Sequence, residues 1–99
     1  MTIEACNTLE DVRSHIDEID RALIALIAER SEYVKQAARF KKDVDAVKAP
    51  ARVEKVIEKV RAESGRHGLD PDVTEAVYRT MIDQFVRMEL KVHQGGEQS

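Results

Sequence analysis

Apolar residues recur at steps of three and four from Leu9 onward: Leu9, Val12, Ile16, Ile19, Leu23, Leu26, then Arg30, Tyr33, Ala37, Phe40 and Val44. That is a heptad-like stripe along one helix. Thr8 is a candidate N-cap, Asp11 puts negative charge in the first turn, and neither glycine nor proline interrupts the stretch. The pattern predicts a helix over about 8–44, a rod of roughly 50 Å. Such a rod exceeds the core of a small globule, so a second chain is expected along it. The pattern lapses over Asp43–Ala49, which reads as a loop. Pro50 suits the first turn of a second helix, about 50–65, with Val53, Val56, Ile57 and Val60 on one face and its end before Gly65 or Gly68. Asp70-Pro71 reads as N-cap and first position of a third helix, about 70–94, carrying Val77, Tyr78, Met81, Ile82, Phe85, Met88 and Val92. Gly95-Gly96 is expected to stop it and to leave 95–99 as a flexible tail. The fold class is therefore all-α, a single domain over 1–99 with one long and two shorter helices.

Arg30 is the anomaly in this pattern. A guanidinium keeps its charge, so placing it in an apolar seam costs several kcal/mol unless an anion faces it. That anion is either a carboxylate of the protein or a ligand. On a continuous helix Lys41 lies three turns beyond Arg30, projects within about 20° of it, and leaves about 16 Å between the α-carbons. The gap suits a small organic anion. Arg13 also lies near the seam, but about 25 Å along the rod from Arg30. It approaches an Arg30 only in an antiparallel pair of chains, whose two-fold axis makes two such sites. On the third helix Glu89 follows Phe85 by four residues and Ile82 by seven, which sets a carboxyl on the apolar side. A buried carboxyl lacking compensation tends to keep its proton, and then donates a hydrogen bond as an amide would.

Simpler readings stand beside these. Arg30 can pair with an internal carboxylate such as Glu89, Arg13 can be a rim charge, and Lys41 can snorkel to solvent. Composition weighs against those readings taken together. Charged residues are 35% of the 99, aromatics 4%, and net charge is −3. Three convergent cations in an acidic chain point to a doubly negative guest, while the overall charge argues against nucleic acid or an anionic membrane. No apolar run is long enough to span a bilayer and no signal-peptide pattern opens the chain, so a cytoplasmic protein is expected. His15, His67 and His93 lack partners at metal-ligand spacing, Cys6 lacks a basic neighbour, and neither a Gly-rich phosphate loop nor a serine elbow occurs. Chemistry without metal, cofactor or nucleophile is expected, working by orientation and by donors aimed at developing charge. A non-catalytic dimerisation module and a sensor of an aromatic product are the alternatives from other classes.

Leu9-Glu10-Asp11-Val12-Arg13-Ser14-His15-Ile16-Asp17-Glu18-Ile19-Asp20, Leu26-Ile27-Ala28-Glu29-Arg30 and the lysine of Arg39-Phe40-Lys41 resemble the all-helical (type II) chorismate mutases. Tyr33–Lys41 and Ala49-Pro50-Ala51-Arg52-Val53 are similar to the isochorismate-pyruvate lyase branch of that family. The resemblance covers about Leu9 to His93. It implies an intertwined helical homodimer with two sites, each lined by both chains. It also implies that Arg13 of one chain and Arg30 of the other hold the substrate's carboxylates, and that Lys41 binds the ether oxygen and a carboxylate. Chorismate mutases rearrange chorismate to prephenate; the lyase releases pyruvate from isochorismate and leaves salicylate. Both pericyclic steps build negative charge on the ether oxygen, where a fixed ammonium is worth several kcal/mol.

Two departures from the family pattern matter. Glutamine often stands where Glu89 falls, so donation from Glu89 requires the protonated acid, and activity should decline as pH rises. At the start of the second helix, mutases carry an Arg-Glu pair whose glutamate binds the ring hydroxyl. Here Arg52 is the candidate arginine, valine follows it, and Glu54 is the nearest carboxyl. The mutase reaction is the first expectation and the lyase reaction its alternative.

Overall fold

The computed structural model describes residues 2–98, with side chains described through Val92. Every regular element among them is helical: α1 (Leu9–Ala38), α2 (Val44–Lys48), α3 (Pro50–Arg66) and α4 (Pro71–Gln98). The chain divides into two compact units, Met1–Tyr33 and Val34–Ser99.

In the first unit, Thr8 Oγ1 accepts from the Asp11 amide at 3.1 Å, and the Val12 amide bonds to the Thr8 carbonyl. This is the cap the sequence suggests. The seam of α1 is solvent-facing: Ile16 and Leu23 are 50% exposed and Leu26 60%. No residue of α1 is buried.

The second unit departs from expectation at its start. α1 stops at Ala38 rather than near Val44. Its last turn tightens, with the Arg39, Phe40 and Lys41 amides bonding three residues back to Gln36, Ala37 and Ala38. Asp43 explains the early stop. It takes an extended conformation (φ −151, ψ 179) and its Oδ1 accepts from the Ala46 amide at 2.8 Å. A side chain that competes for backbone donors caps a new helix instead of continuing an old one. The stretch read as a loop therefore contains α2, which packs against α4 and whose Val47 is 3% exposed.

Ala49 closes α2, its amide bonding to the Asp45 carbonyl, and opens α3, its carbonyl accepting from the Val53 amide. It does so in the left-handed region at φ 36. Pro50 occupies the first helical turn as predicted. Gly68, at φ 68, ends α3. The Leu69 amide reaches the Ser64 carbonyl and the Gly68 amide the Gly65 carbonyl, which is the Schellman arrangement. Gly65 stays inside the helix. Asp70 caps α4, its Oδ1 accepting from the Asp72 amide at 2.9 Å.

α3 packs along α4. Ile57 (4% exposed) is buried in α3, Val53, Val56 and Val60 are half-buried, and Tyr78, Met81, Ile82 and Phe85 of α4 are half-buried as their spacing predicts. Val77, Met88 and Val92 of the same stripe stay exposed. α4 continues through Gly95-Gly96 to Gln98. Glycine weakens a helix by about 1 kcal/mol relative to alanine but does not forbid it. The side chain of His93 and all of Ser99 lie outside the described residues.

Candidate functional site

The second unit brings two of the expected site residues together. Lys41 follows the tightened end of α1, and Glu89 lies about five turns into α4 on the face that carries Phe85 and Ile82. Lys41 Nζ donates to Glu89 Oε2 at 3.1 Å across 48 residues of sequence. The Glu89 side chain is 6% exposed and that of Lys41 23%. This is a buried carboxyl compensated by a half-buried ammonium. Glu89 thus accepts from Lys41, whereas the sequence suggested either an uncompensated carboxyl or a pairing with Arg30. An ammonium has three hydrogens to donate. One engages Glu89, so further donation from the same nitrogen remains open to a ligand.

The helical projection of Lys41 from Arg30 does not hold, because Lys41 lies beyond the end of α1. Arg13 and Arg30 belong to the first unit, Arg13 exposed and Arg30 half-buried. Both fall within the continuous α1, so their separation of about 25 Å along the axis stands. Arg52 is exposed in the first turn of α3.

Glu54 does not stand free beside Arg52. Arg79 of α4 grips it with a bidentate fork, Nη1 to Oε2 at 2.8 Å and Nη2 to Oε1 at 2.9 Å. The Arg79 hydrogen bond holds the Glu54 carboxyl below the usual carboxylate range and raises the guanidinium's own pKa. Arg79 Nε also donates to Glu75, one turn back, at 2.8 Å. Glu75 accepts in addition from Arg61 of α3, and Arg61 reaches Asp72. The Glu75 carboxyl is lowered too, first by Arg79 and then by Arg61. Glu54, Arg61, Asp72, Glu75 and Arg79 therefore form a charged lattice across α3 and α4. The sequence reading missed it. The Glu75-to-Arg79 spacing of four was the available signal.

Near the start of α1 an open hollow of about 310 Å³ is lined by Glu4, Cys6, Asp11, Ser14, His15 and Glu18 among others. Glu4 pairs with His15 at 3.3 Å. Its acidic wall suits an anionic guest poorly. Among the described residues no group of three or more His, Cys, Asp and Glu side chains is disposed to hold a metal ion. No helix among them is long and apolar enough to cross a membrane.

The pattern that defines the family described as chorismate mutase type II matches residues 12–90. The chain belongs to this family. Isochorismate pyruvate lyase of Pseudomonas aeruginosa is 32% identical over 90 residues, 91% of this chain and 89% of that protein. The chorismate mutase of Methanocaldococcus jannaschii is 28% identical over 76 residues, 76% of this chain and 77% of that one. The T-protein of Haemophilus influenzae is 38% identical over 75 residues, which are 75% of this chain but 20% of the T-protein. The matched range of this type II chorismate mutase family member includes Arg13, Arg30, Lys41, Arg52 and Glu89.

Proposed function

We propose that this type II chorismate mutase family member is a pericyclic enzyme for a chorismate-type dicarboxylate, with chorismate to prephenate as its first reaction. The supporting observation is the buried contact of Lys41 with Glu89. As the ether bond breaks, negative charge grows on its oxygen, and a fixed ammonium is the group suited to meet it. Glu89 accepts from Lys41 and so holds the ammonium in place. Arg13, Arg30 and Arg52 bind the substrate's anionic and polar groups, as the resemblance implies.

An intertwined homodimer is part of this reading. The exposed apolar side chains of α1, Leu9 through Leu26, form a surface whose burial by a second copy would release water from the whole seam. Arg13 of one copy would then serve the site of the other. Sedimentation of the wild type and of Ile19→Glu tests this. A dimer lost in the variant together with activity supports it, and a fully active monomer refutes it. The proposed compartment is the cytoplasm, where the free Cys6 stays reduced.

A second reading, cleavage of isochorismate to salicylate and pyruvate, is favoured by the start of α3. Val53 follows Arg52, and the nearest carboxyl, Glu54, is committed to Arg79. The ring hydroxyl of chorismate thus lacks the acceptor that a mutase's glutamate supplies. Incubation with each acid separates the readings by prephenate or by salicylate plus pyruvate as product. Neither product, with no thermal shift from a dicarboxylate transition-state mimic, leaves a non-catalytic module. A true ligand at a hundred times its Kd adds about 2.7 kcal/mol.

A further inference from the structure

We infer that Arg79 is a positioning residue for Arg52, acting through Glu54, an inference that rests on the proposed role of Arg52 in substrate binding. The first turn of α3 has few local anchors. Its N-cap, Ala49, makes no side-chain cap hydrogen bond, and its first turn contains no acidic residue. Pro50 has no amide hydrogen to offer. Arg52 itself is a cation near the positive end of the helix dipole, where the local field does not favour it. Glu54, two residues on, is the polar tie from this end of α3 to α4. That tie is bidentate, so it fixes orientation as well as distance.

Arg79 is in turn immobilised on its own helix by Glu75, which Arg61 clamps from farther along α3. The lattice therefore grips α3 at two points, Glu54 and Arg61, two helical turns apart. Rotation or fraying of the first turn would break the fork at Glu54 and swing the long Arg52 side chain. An exposed pair of this kind contributes little to global stability, so its consequence falls on the geometry of Arg52.

The test is steady-state kinetics on Arg52→Ala, Arg79→Ala, Arg79→Lys and the charge-exchanged pair Glu54→Arg/Arg79→Glu, with melting curves for each. Arg52→Ala should raise KM several-fold with kcat little changed, the signature of lost uniform binding. Arg79→Ala should reproduce part of that KM rise, without a matching fall in melting temperature. Arg79→Lys, which keeps the charge but not the fork, should resemble Arg79→Ala, and the exchanged pair should recover KM. If Arg52→Ala raises KM while Arg79→Ala and Arg79→Lys leave it at the wild-type value, the positioning role is overturned and the site reading survives. If Arg52→Ala itself leaves KM unchanged, both fall together.

Discussion

Removing the ammonium of Lys41 should cost more than removing the charge of Glu89, because the two ends of the pair are buried to different degrees. Glu89 is 6% exposed at its side chain and Lys41 23%. Breaking a fully buried pair by deleting one partner costs about 3–5 kcal/mol. The residual water at Lys41 reduces this, so Lys41→Met should cost about 2–3 kcal/mol, most of it the stranded carboxylate. Glu89→Gln retains an oxygen that accepts from Lys41, and should cost about 1 kcal/mol, the value of one hydrogen bond. In a Glu89→Gln background the Lys41→Met change no longer strands a charge, so its cost should shrink by about 1–2 kcal/mol. Urea denaturation of the four proteins at one fixed protomer concentration measures the cycle. Equal costs for Lys41→Met with and without Glu89→Gln would refute the account, since the two side chains would then be energetically independent despite their 3.1 Å contact.

Gly68→Ala and Gly65→Ala should move stability in opposite directions. A Cβ at either site meets no atom within 4 Å, but only Gly68 has a positive φ. The first change should cost about 1 kcal/mol in backbone strain, the second should gain up to about 0.5–1 kcal/mol from helix propensity, and thermal melts report both. Ser64 is buried, with its Oγ 2.6 Å from Thr74 Oγ1 and 2.7 Å from the Val60 carbonyl oxygen. Ser64→Ala should therefore cost about 1 kcal/mol, and less when Thr74→Val removes the stranded hydroxyl as well. On acidification the α3–α4 lattice should weaken only below the ordinary carboxylate range. The hydrogen bonds from Arg79 hold the Glu54 and Glu75 carboxyls below the ordinary glutamate value of 4.5, so their contribution is present above 4.5 and lost as pH falls through the lower folded values. Titration of Glu54→Gln/Glu75→Gln should show a shallower loss of stability below pH 4.5, and an unchanged acid limb would remove the lattice from the explanation.

The three long helices were legible because each carries a 3–4 repeat over many turns. Their ends depended on local competition. Asp43 reads as an ordinary polar residue in a run of charges, yet its cap on Ala46 helps end α1 before Lys41 and start a five-residue helix too short to show a period. Gly65 and Gly68 look equivalent in sequence, and only the left-handed backbone at Gly68 separates them. Glu89 was legible as an inward carboxyl from its spacing to Phe85 and Ile82. Its partner was not, because 48 residues separate it from Lys41. The fork between Arg79 and Glu54 was hidden for a related reason: exposed charges on two helices carry no periodic signal that says which will meet. The seam of α1 was legible as a continuous apolar stripe, and Ile16, Leu23 and Leu26 of that stripe are solvent-facing in this chain.

Ala49 makes two helices share one residue, as the last hydrogen-bonded amide of α2 and the first accepting carbonyl of α3. Melting α2 therefore releases the residue that seats the next helix's opening turn. In deuterium exchange the amides of Ala49 and Val53 should lose protection as a single cooperative unit. The short connector that carries the chain away from Lys41 would then set the opening rate for the turn that bears Arg52.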